Sequence, residues 1–403
     1  MRKGEAEEIA VIGGGMAGIC SAILLAEAGR RVMLFERQDR IGKKLLLTGN
    51  GRCNLSNLTP EAEHYLTDDR EKLVRILNTL TPKRRERFFD GLGLKLCEIR
   101  GGLYPVTRQA SSVLDAFRFR LRELAVDIRT ESFVRAIDGD RNITLSDGRR
   151  FGPFQRILLA AGGRAGVYAE EKDNALTLAK ELTGSLVKTY PALCAIRVKE
   201  ELKAAAGVRC DAGITLHTPR GSFTERGELQ ITKGALSGIP VFQLSRYLED
   251  TMNSQISVDF LPFLEGGEAC LSARAEHFSQ RSLEEFFAGI LNKKLAVELL
   301  HRADLAPSRS VSAVPKEALL KLFRLCRSAG FTPAGYGSYK DAQLMCGGVP
   351  LSALSDELEC RQHPGVHILG ELLNVNGECG GYNLHFALAC AMHVCDRLLS
   401  TEK

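Results

Sequence analysis

No two of the 12 cysteines in this 403-residue sequence stand at C-x-x-C spacing. That absence removes support for zinc knuckles and for the redox dithiol of disulfide reductases, and no metal site is expected. Scattered thiols of this kind read as small, reduced core residues of a cytoplasmic protein. No window reaches the ~18 uninterrupted apolar residues needed to cross a bilayer, so no membrane association is expected. Met1-Arg2-Lys3 runs into Gly4-Glu5-Ala6-Glu7-Glu8 instead of an apolar stretch, which argues against a secretory leader. Net charge is small as well: 54 basic against 49 acidic residues leave +5, too little and too dispersed for a nucleic-acid footprint. The densest basic stretch, Lys83-Arg84-Arg85 with Arg87, is interleaved with Glu86 and Asp90 and reads as a solvated helix face. Repeats and low-complexity runs are missing too. An ordinary composition, 44% hydrophobic and 26% charged, excludes disorder, collagen and coiled coil. A chain of this length holds roughly two to three domains with a sizeable core.

The N-terminal segment carries the sharpest signal. Ile9-Ala10-Val11-Ile12 opens into Gly13-Gly14-Gly15-Met16-Ala17-Gly18, then a small-residue helix, then Val32-Met33-Leu34-Phe35 ending at Glu36. This is a strand–glycine turn–helix–strand unit with the dinucleotide fingerprint in its proper context. Gly13 permits the tight turn, Gly15 lets a pyrophosphate approach the backbone, and Gly18 lets the helix lie close on the sheet. Exposed N–H groups at the positive helix end meet the phosphates. Glu36 is placed to accept a ribose hydroxyl, and its charge disfavours a 2′-phosphate. A glycine turn that merely packs a helix onto a sheet is the plain alternative; both flanking strands and the acidic terminus make it the weaker one. The motif alone does not choose between NAD and FAD.

Two further segments favour the longer ligand. Residues 156–163, Arg-Ile-Leu-Leu-Ala-Ala-Gly-Gly, form another buried strand entering a glycine turn. Near the end, Gly365-Val366-His367-Ile368-Leu369 leads to Gly370-Glu371, followed by Gly377-Glu378-Cys379-Gly380-Gly381-Tyr382-Asn383-Leu384 and an apolar helix. FAD needs contacts along adenosine, pyrophosphate, ribityl chain and flavin, whereas NAD leaves this C-terminal pair without a task. A second strand–glycine–helix unit for a separate nicotinamide domain is not visible.

The run Gly42-Lys43-Lys44-Leu45-Leu46-Leu47-Thr48-Gly49-Asn50-Gly51-Arg52-Cys53-Asn54-Leu55-Ser56-Asn57 closely resembles the signature of the bacterial YhiN/BaiN-type FAD-dependent oxidoreductases, more distant relatives of the glutathione-reductase flavoproteins. Leu103-Tyr104-Pro105, residues 236–240, residues 346–349 and residues 377–384 support the same resemblance, which spans nearly the whole chain. It implies an α/β fold: a Rossmann-like FAD domain of the glutathione-reductase type with an inserted β-barrel and helical subdomain. By resemblance, the FAD domain comprises residues 1–190 and 341–403, and residues 191–340 form the substrate-side insert. Short strands near 196–198, 213–217 and 256–260 and amphipathic helices over 283–300 and 316–329 are read within that insert. Residues 70–125 read as helical and 126–145 as strand-like.

Position by position, the resemblance implies that Gly13, Gly15, Met16, Ala17 and Gly18 line the FAD pyrophosphate. Glu36 holds the adenosine ribose with Arg37 beside it, and Val134 touches adenine through its backbone. Lys44, Arg52 and Cys53 lie along the diphosphate and flavin side. Gly162 marks the chain's return to the cofactor, Glu371 bonds the ribityl hydroxyls, and Gly381, Tyr382 and Asn383 cap the flavin pyrimidine edge. After Gly163 the sequence departs from the family, with charged residues 164–173 where a Thr- and Gly-rich stretch is usual.

A helix starting at residues 380–383 stabilises negative charge on reduced flavin by ~0.3–2 kcal/mol. Candidate proton donors are Tyr382, His385 and Tyr104, with Tyr336 in a similar loop-like context; none earns a firm assignment. The implied activity is reduction of an activated C=C bond in a small organic substrate, such as a 3-oxo steroid or bile-acid enone, with NAD(P)H as a transient electron donor. Its rivals are an FAD-dependent amine or aminoketone oxidase using oxygen, and a non-catalytic flavin-binding sensor or RNA-associated flavoprotein.

Overall fold

The computed structural model describes residues 8–166 and 174–400. The chain divides into two compact units, Met1–Tyr190 with Gln343–Lys403, and Pro191–Ala342.

The first unit is built on a parallel sheet of β1 (Glu8–Ile12), β2 (Arg31–Phe35), β3 (Asp127–Arg129), β4 (Arg156–Leu159) and β5 (Val366–Ile368), in the order β5-β4-β1-β2-β3. Ile9 sits opposite Arg156 on one side and Val32 on the other. Apolar runs such as Ile9-Ala10-Val11-Ile12 suit a parallel sheet covered on both faces, and all four are buried. Helix α1 (Met16–Glu27) leaves β1 toward β2, while β4 lies on β1's other flank. The turn Gly13–Gly15 therefore occupies the point where strand order reverses, the usual ligand crevice of such sheets.

Residues 70–125 are not continuously helical. Helices α2 (Arg70–Asn78), α3 (Pro82–Gly91) and α4 (Ala110–Glu123) are interrupted by a hairpin of Leu96–Ile99 and Gly102–Pro105. Arg100 and Gly101 both take positive φ, 51° and 82°, the backbone of a tight two-residue hairpin turn. Asp69 and Thr81 cap α2 and α3 by accepting from the Lys72 and Arg84 amides, and Pro82 occupies the first turn of α3, as helix starts favour. The solvated face expected of 83–87 also fails at one residue: Arg85 is only 4% exposed. Helix α5 (Asn174–Thr183) and the long α6 (Tyr382–Ser400) complete the unit's helices. Small residues bring α6 onto α1, where the Cys395 thiol donates to the Ser21 carbonyl at 3.8 Å.

The second unit holds a seven-stranded sheet. Its order is Ala329–Phe331, Gln255–Asp259, Arg209–Thr218, Gly221–Ile231, Ala235–Ser237, Ile196–Val198 and Pro333–Tyr336. The first and last of these are separated by Thr332 alone, so one bent segment carries both edges and the sheet closes into a barrel. Helices Gly267–His277, Lys293–Arg302 and Lys316–Arg327 bury Leu271, Leu299 and Phe323 against the same core. The single helix read over 283–300 is broken: Leu283–Phe286 ends early and Lys293–Arg302 begins anew, with Gly289 at φ +85° between them. Phe286 and Phe287 still enter the core, so the apolar spacing marked burial rather than helical continuity. Tyr336 donates its hydroxyl to the Leu248 carbonyl.

Candidate functional site

The glycine turn after β1 is shaped by contacts that exclude side chains. A Cβ on Gly13 would stand 2.4 Å from the Ala160 carbonyl oxygen, and one on Gly18 only 1.9 Å from that of Gly13. Gly15, by contrast, faces open space, and so does Gly162 at the end of β4. Gly15 caps α1 without any side-chain hydrogen bond, and no acidic residue lies in the first turn. The amides of Met16 and Ala17 have no acceptor among the described residues, although both residues are only 5% exposed. A buried helix start with unsatisfied donors is a ready anion site.

Glu36, at the end of β2, joins this turn. Its Oε2 accepts from the Gly14 amide at 2.7 Å and its Oε1 from the Gln38 amide at 2.8 Å. Burial raises its carboxyl above the ordinary value, against the lowering effect of those amides. Gly13, Glu36, Arg37 and Val134 line one small cavity together with Phe35, Ser132 and Ala161. Three expected adenosine-side residues, Glu36, Arg37 and Val134, are thus brought to one place beside Gly13 of the expected pyrophosphate turn.

A second group forms beside α1. Lys44 Nζ lies 2.5 Å from Glu371 Oε2. The other carboxylate oxygen, Oε1, is buried without a partner. A Cβ on Gly163 would come within 3.2 Å of that oxygen, and one on Gly370 within 3.1 Å of the Ala17 side chain. Cys53 is fully buried at φ 59°, and burial pushes its thiol up to about 11, so it stays a thiol. Arg52 is exposed.

The third group surrounds the start of α6. Gly381 takes φ 94°, and a Cβ there would stand 2.3 Å from the Ser56 carbonyl oxygen and 2.6 Å from Asn54 Oδ1. Asn57 Nδ2 donates to the Gly380 carbonyl at 2.9 Å, and the Tyr65 hydroxyl donates to that of Tyr382 at 2.9 Å. Asn383 closes the loop on itself: its Oδ1 accepts from the Gly377 amide, and its Nδ2 donates to the Gly377 and Glu378 carbonyls. Among the described residues the amides of Tyr382 and Asn383 have no acceptor.

The proton-transfer candidates separate clearly. The Tyr382 ring is buried, stacked on His64 at 4.6 Å, and its hydroxyl bonds Thr59. Burial raises that phenol's pKa. His385 is fully buried, with Nδ1 2.8 Å from Ser56 Oγ. Burial and, secondarily, the Arg85 charge press its pKa down to about 3, which keeps it neutral. Tyr104 is half-buried, and its hydroxyl has no partner among the described residues. Sequence reasoning assigned no role to Asn54, Ser56, Asn57 or Tyr65, although the first three stand inside the quoted signature run. Their signal was a polar cluster in a segment that otherwise buries Cys53 and Leu55. Of the charged stretch at 164–173, residues 167–173 lie outside the described residues.

The described residues fit a bound dinucleotide. Two helix starts offer free amides, two glycines face open space, and the Glu371 Oε1 acceptor is buried with no donor. The family model of the HI0933-like protein Rossmann domain matches residues 7–397. The chain belongs to this family. HI0933-like proteins of the YhiN/BaiN type are FAD-dependent oxidoreductases, and this chain is one of them. It is 36% identical over 395 residues to a 3-dehydro-bile acid delta(4,6)-reductase of Clostridium scindens, covering 94% of this chain and 96% of the relative. It is 27% identical over 399 residues to a ribosomal RNA dihydrouridine synthase of Escherichia coli, covering 97% and 98%. Among solved structures, a 3-ketosteroid-delta4-(5alpha)-dehydrogenase of Rhodococcus jostii aligns with a TM-score of 0.48 at 15% identity, covering 98% and 97%. In this HI0933-like chain no described helix is long and apolar enough to cross a membrane.

Proposed function

We propose that this protein reduces a C=C bond conjugated to a carbonyl in a small organic molecule of the 3-oxo steroid or bile-acid enone class. The observation that carries the reading is the 36% identity, over nearly the full length of both chains, to a bile-acid delta(4,6)-reductase. When bound, FAD supplies a hydride from N5 to the enone β-carbon. The chain's own residues do the rest. Amides at Gly15, Met16 and Ala17 receive the pyrophosphate, with Gly18 and Gly13 holding the turn tight. Glu36 and Arg37 take the adenosine ribose, and the Val134 backbone takes adenine. Lys44, Arg52 and Cys53 lie along the diphosphate and flavin side, and Gly162 leaves room for the cofactor. Glu371 Oε1 accepts a ribityl hydroxyl, and the amides of Gly381, Tyr382 and Asn383 meet the pyrimidine edge. Tyr104, whose phenol is unspent, holds the proton for the α-carbon. NAD(P)H, visiting transiently, is the proposed electron source.

A second reading has an observation of its own. Dihydrouridine is uridine saturated at a C=C bond conjugated to a carbonyl, so the relative at 27% identity performs the same bond change on ribosomal RNA. Anaerobic stopped-flow separates the readings. The flavin band is bleached with NADH or NADPH, then the protein is mixed with a 3-oxo-Δ4 steroid or with a uridine-containing ribosomal RNA fragment; in a separate arm the oxidised protein is mixed anaerobically with aminoketone. Reoxidation by the steroid with formation of the saturated ketone is expected. Reoxidation by the RNA alone, or bleaching of the oxidised flavin by aminoketone with peroxide release once oxygen is admitted, replaces the small-molecule enone reading.

A further inference from the structure

Arg85 is anomalous. It is 4% exposed, yet no carboxylate among the described residues lies within ion-pair distance of it. Its Nη1 donates to the Asn57 carbonyl at 2.9 Å and to Ser56 Oγ at 3.3 Å, while its buried Nε has no partner. Burial lowers the guanidinium pKa by more than the charge of Glu86 raises it. A buried charge is ordinarily paired, because desolvating it alone costs several kcal/mol.

This side chain lines a cavity of about 420 Å³, bounded by the 58–63 segment, α2 and α3. The walls are largely apolar: Leu58, Ala62, Val74 and Leu77 line them, and Leu58 and Val74 remain 52% and 38% exposed. The volume falls in the range of small-molecule sites. Glu61, Glu63 and Arg70, all exposed, also line the cavity, and Arg70 is paired with Glu63 at 3.7 Å. Their net negative charge opposes a dianion more than a monoanion.

We propose that this cavity is a binding site for an amphiphilic monocarboxylate, its apolar body against Leu58, Val74 and Leu77 and its carboxylate on the Arg85 guanidinium. The planar guanidinium fork matches a carboxylate, and the ligand supplies the ion-paired carboxylate that the described residues do not. The site needs neither flavin nor enone, so it stands or falls apart from the proposed reaction.

Calorimetric titration of the full-length protein tests it, with butyrate, hexanoate and octanoate as probes. Affinity is expected to rise with chain length, and 1-octanol and inorganic phosphate are expected to bind roughly tenfold more weakly than octanoate or worse. Arg85→Met and Val74→Phe each weaken octanoate by roughly tenfold or more, the first by removing the charge and the second by filling the cleft. Should Arg85→Met fail to fold, Val74→Phe still decides, because residue 74 is surface-accessible. No saturable octanoate binding, equal affinity for octanol, or a Val74→Phe protein that binds octanoate like the parent overturns the proposal.

Discussion

Lys44 and Glu371 stand 327 positions apart in sequence and 2.5 Å apart in space. Each side chain is partly exposed, 38% and 25%, and an ion pair of that kind contributes at most about 1 kcal/mol to stability. The pair leaves Glu371 Oε1 buried and unspent, so its main consequence is expected in ligand binding.

Glu371→Ala is predicted to weaken FAD binding to apoprotein by roughly tenfold or more, read from quenching of flavin fluorescence. Its effect on the unfolding free energy stays within about 1 kcal/mol. Unchanged affinity with lowered stability would show that Glu371 serves the fold alone.

The glycines of the first turn separate fold from ligand. Gly18→Ala drives a methyl into the Gly13 carbonyl and costs roughly 1–3 kcal/mol or more by overpacking. Gly15→Ala meets no protein atom and costs less than about 1 kcal/mol as a helix cap, yet weakens FAD by roughly tenfold. Denaturant melts of both apoproteins, paired with flavin titration, check the contrast.

His385 sets a pH dependence. Its pKa falls to about 3 in the folded protein, against ~6.5 when unfolded, so the unfolded chain binds the extra proton between those values. Stability from this residue is complete above about pH 6.5 and declines on acidification, by about 1.4 kcal/mol per pH unit for one proton. Buried His367 and His393, also lowered chiefly by burial, add in the same direction. His385→Asn is expected to flatten the acid limb of stability against pH by about one proton; an unaltered slope would mean another group controls it.

Tyr104→Phe removes the only unspent phenol among the three proton-transfer candidates. The turnover number with an enone should drop roughly 10²-fold or more, while flavin affinity and flavin reduction by nicotinamide stay near parental values. Equal losses in both half-reactions would assign Tyr104 to cofactor binding.

What was legible in the sequence was what is local. Strand β1, the Gly13–Gly18 turn and Glu36 lie within one contiguous unit whose glycines are each required by a short-range collision or an open approach. The hairpin at 96–105 reads as helix because Leu96, Ile99 and Leu103 fall at the i, i+3, i+7 spacing of a helix face; the Gly101-Gly102 pair is the discriminating signal in the sequence. The break at Gly289 was hidden because Phe286 and Phe287 go on being buried beside it. Least legible was the junction of Ser56, Arg85 and His385, since three distant segments converge there and Arg85 sits in a run that otherwise looks like solvent-facing charge.

The bent segment that serves both rims of the barrel has a consequence for the protein at high concentration. A sheet whose two ends belong to one covalent stretch presents little backbone there for another molecule to extend, whereas Gly221–Ile231 pairs with Ala235–Ser237 only at Gln230 and Ile231, so that Gly221–Leu229 has no strand neighbour on that side among the described residues. Chain-to-chain β stacking at the bent segment would first have to pull Ala329–Phe331 away from Gln255–Asp259, or Pro333–Tyr336 away from Ile196–Val198. Self-association at this end of the sheet is therefore gated by local unfolding around Thr332, and the open flank of Gly221–Leu229 is the edge left to extend.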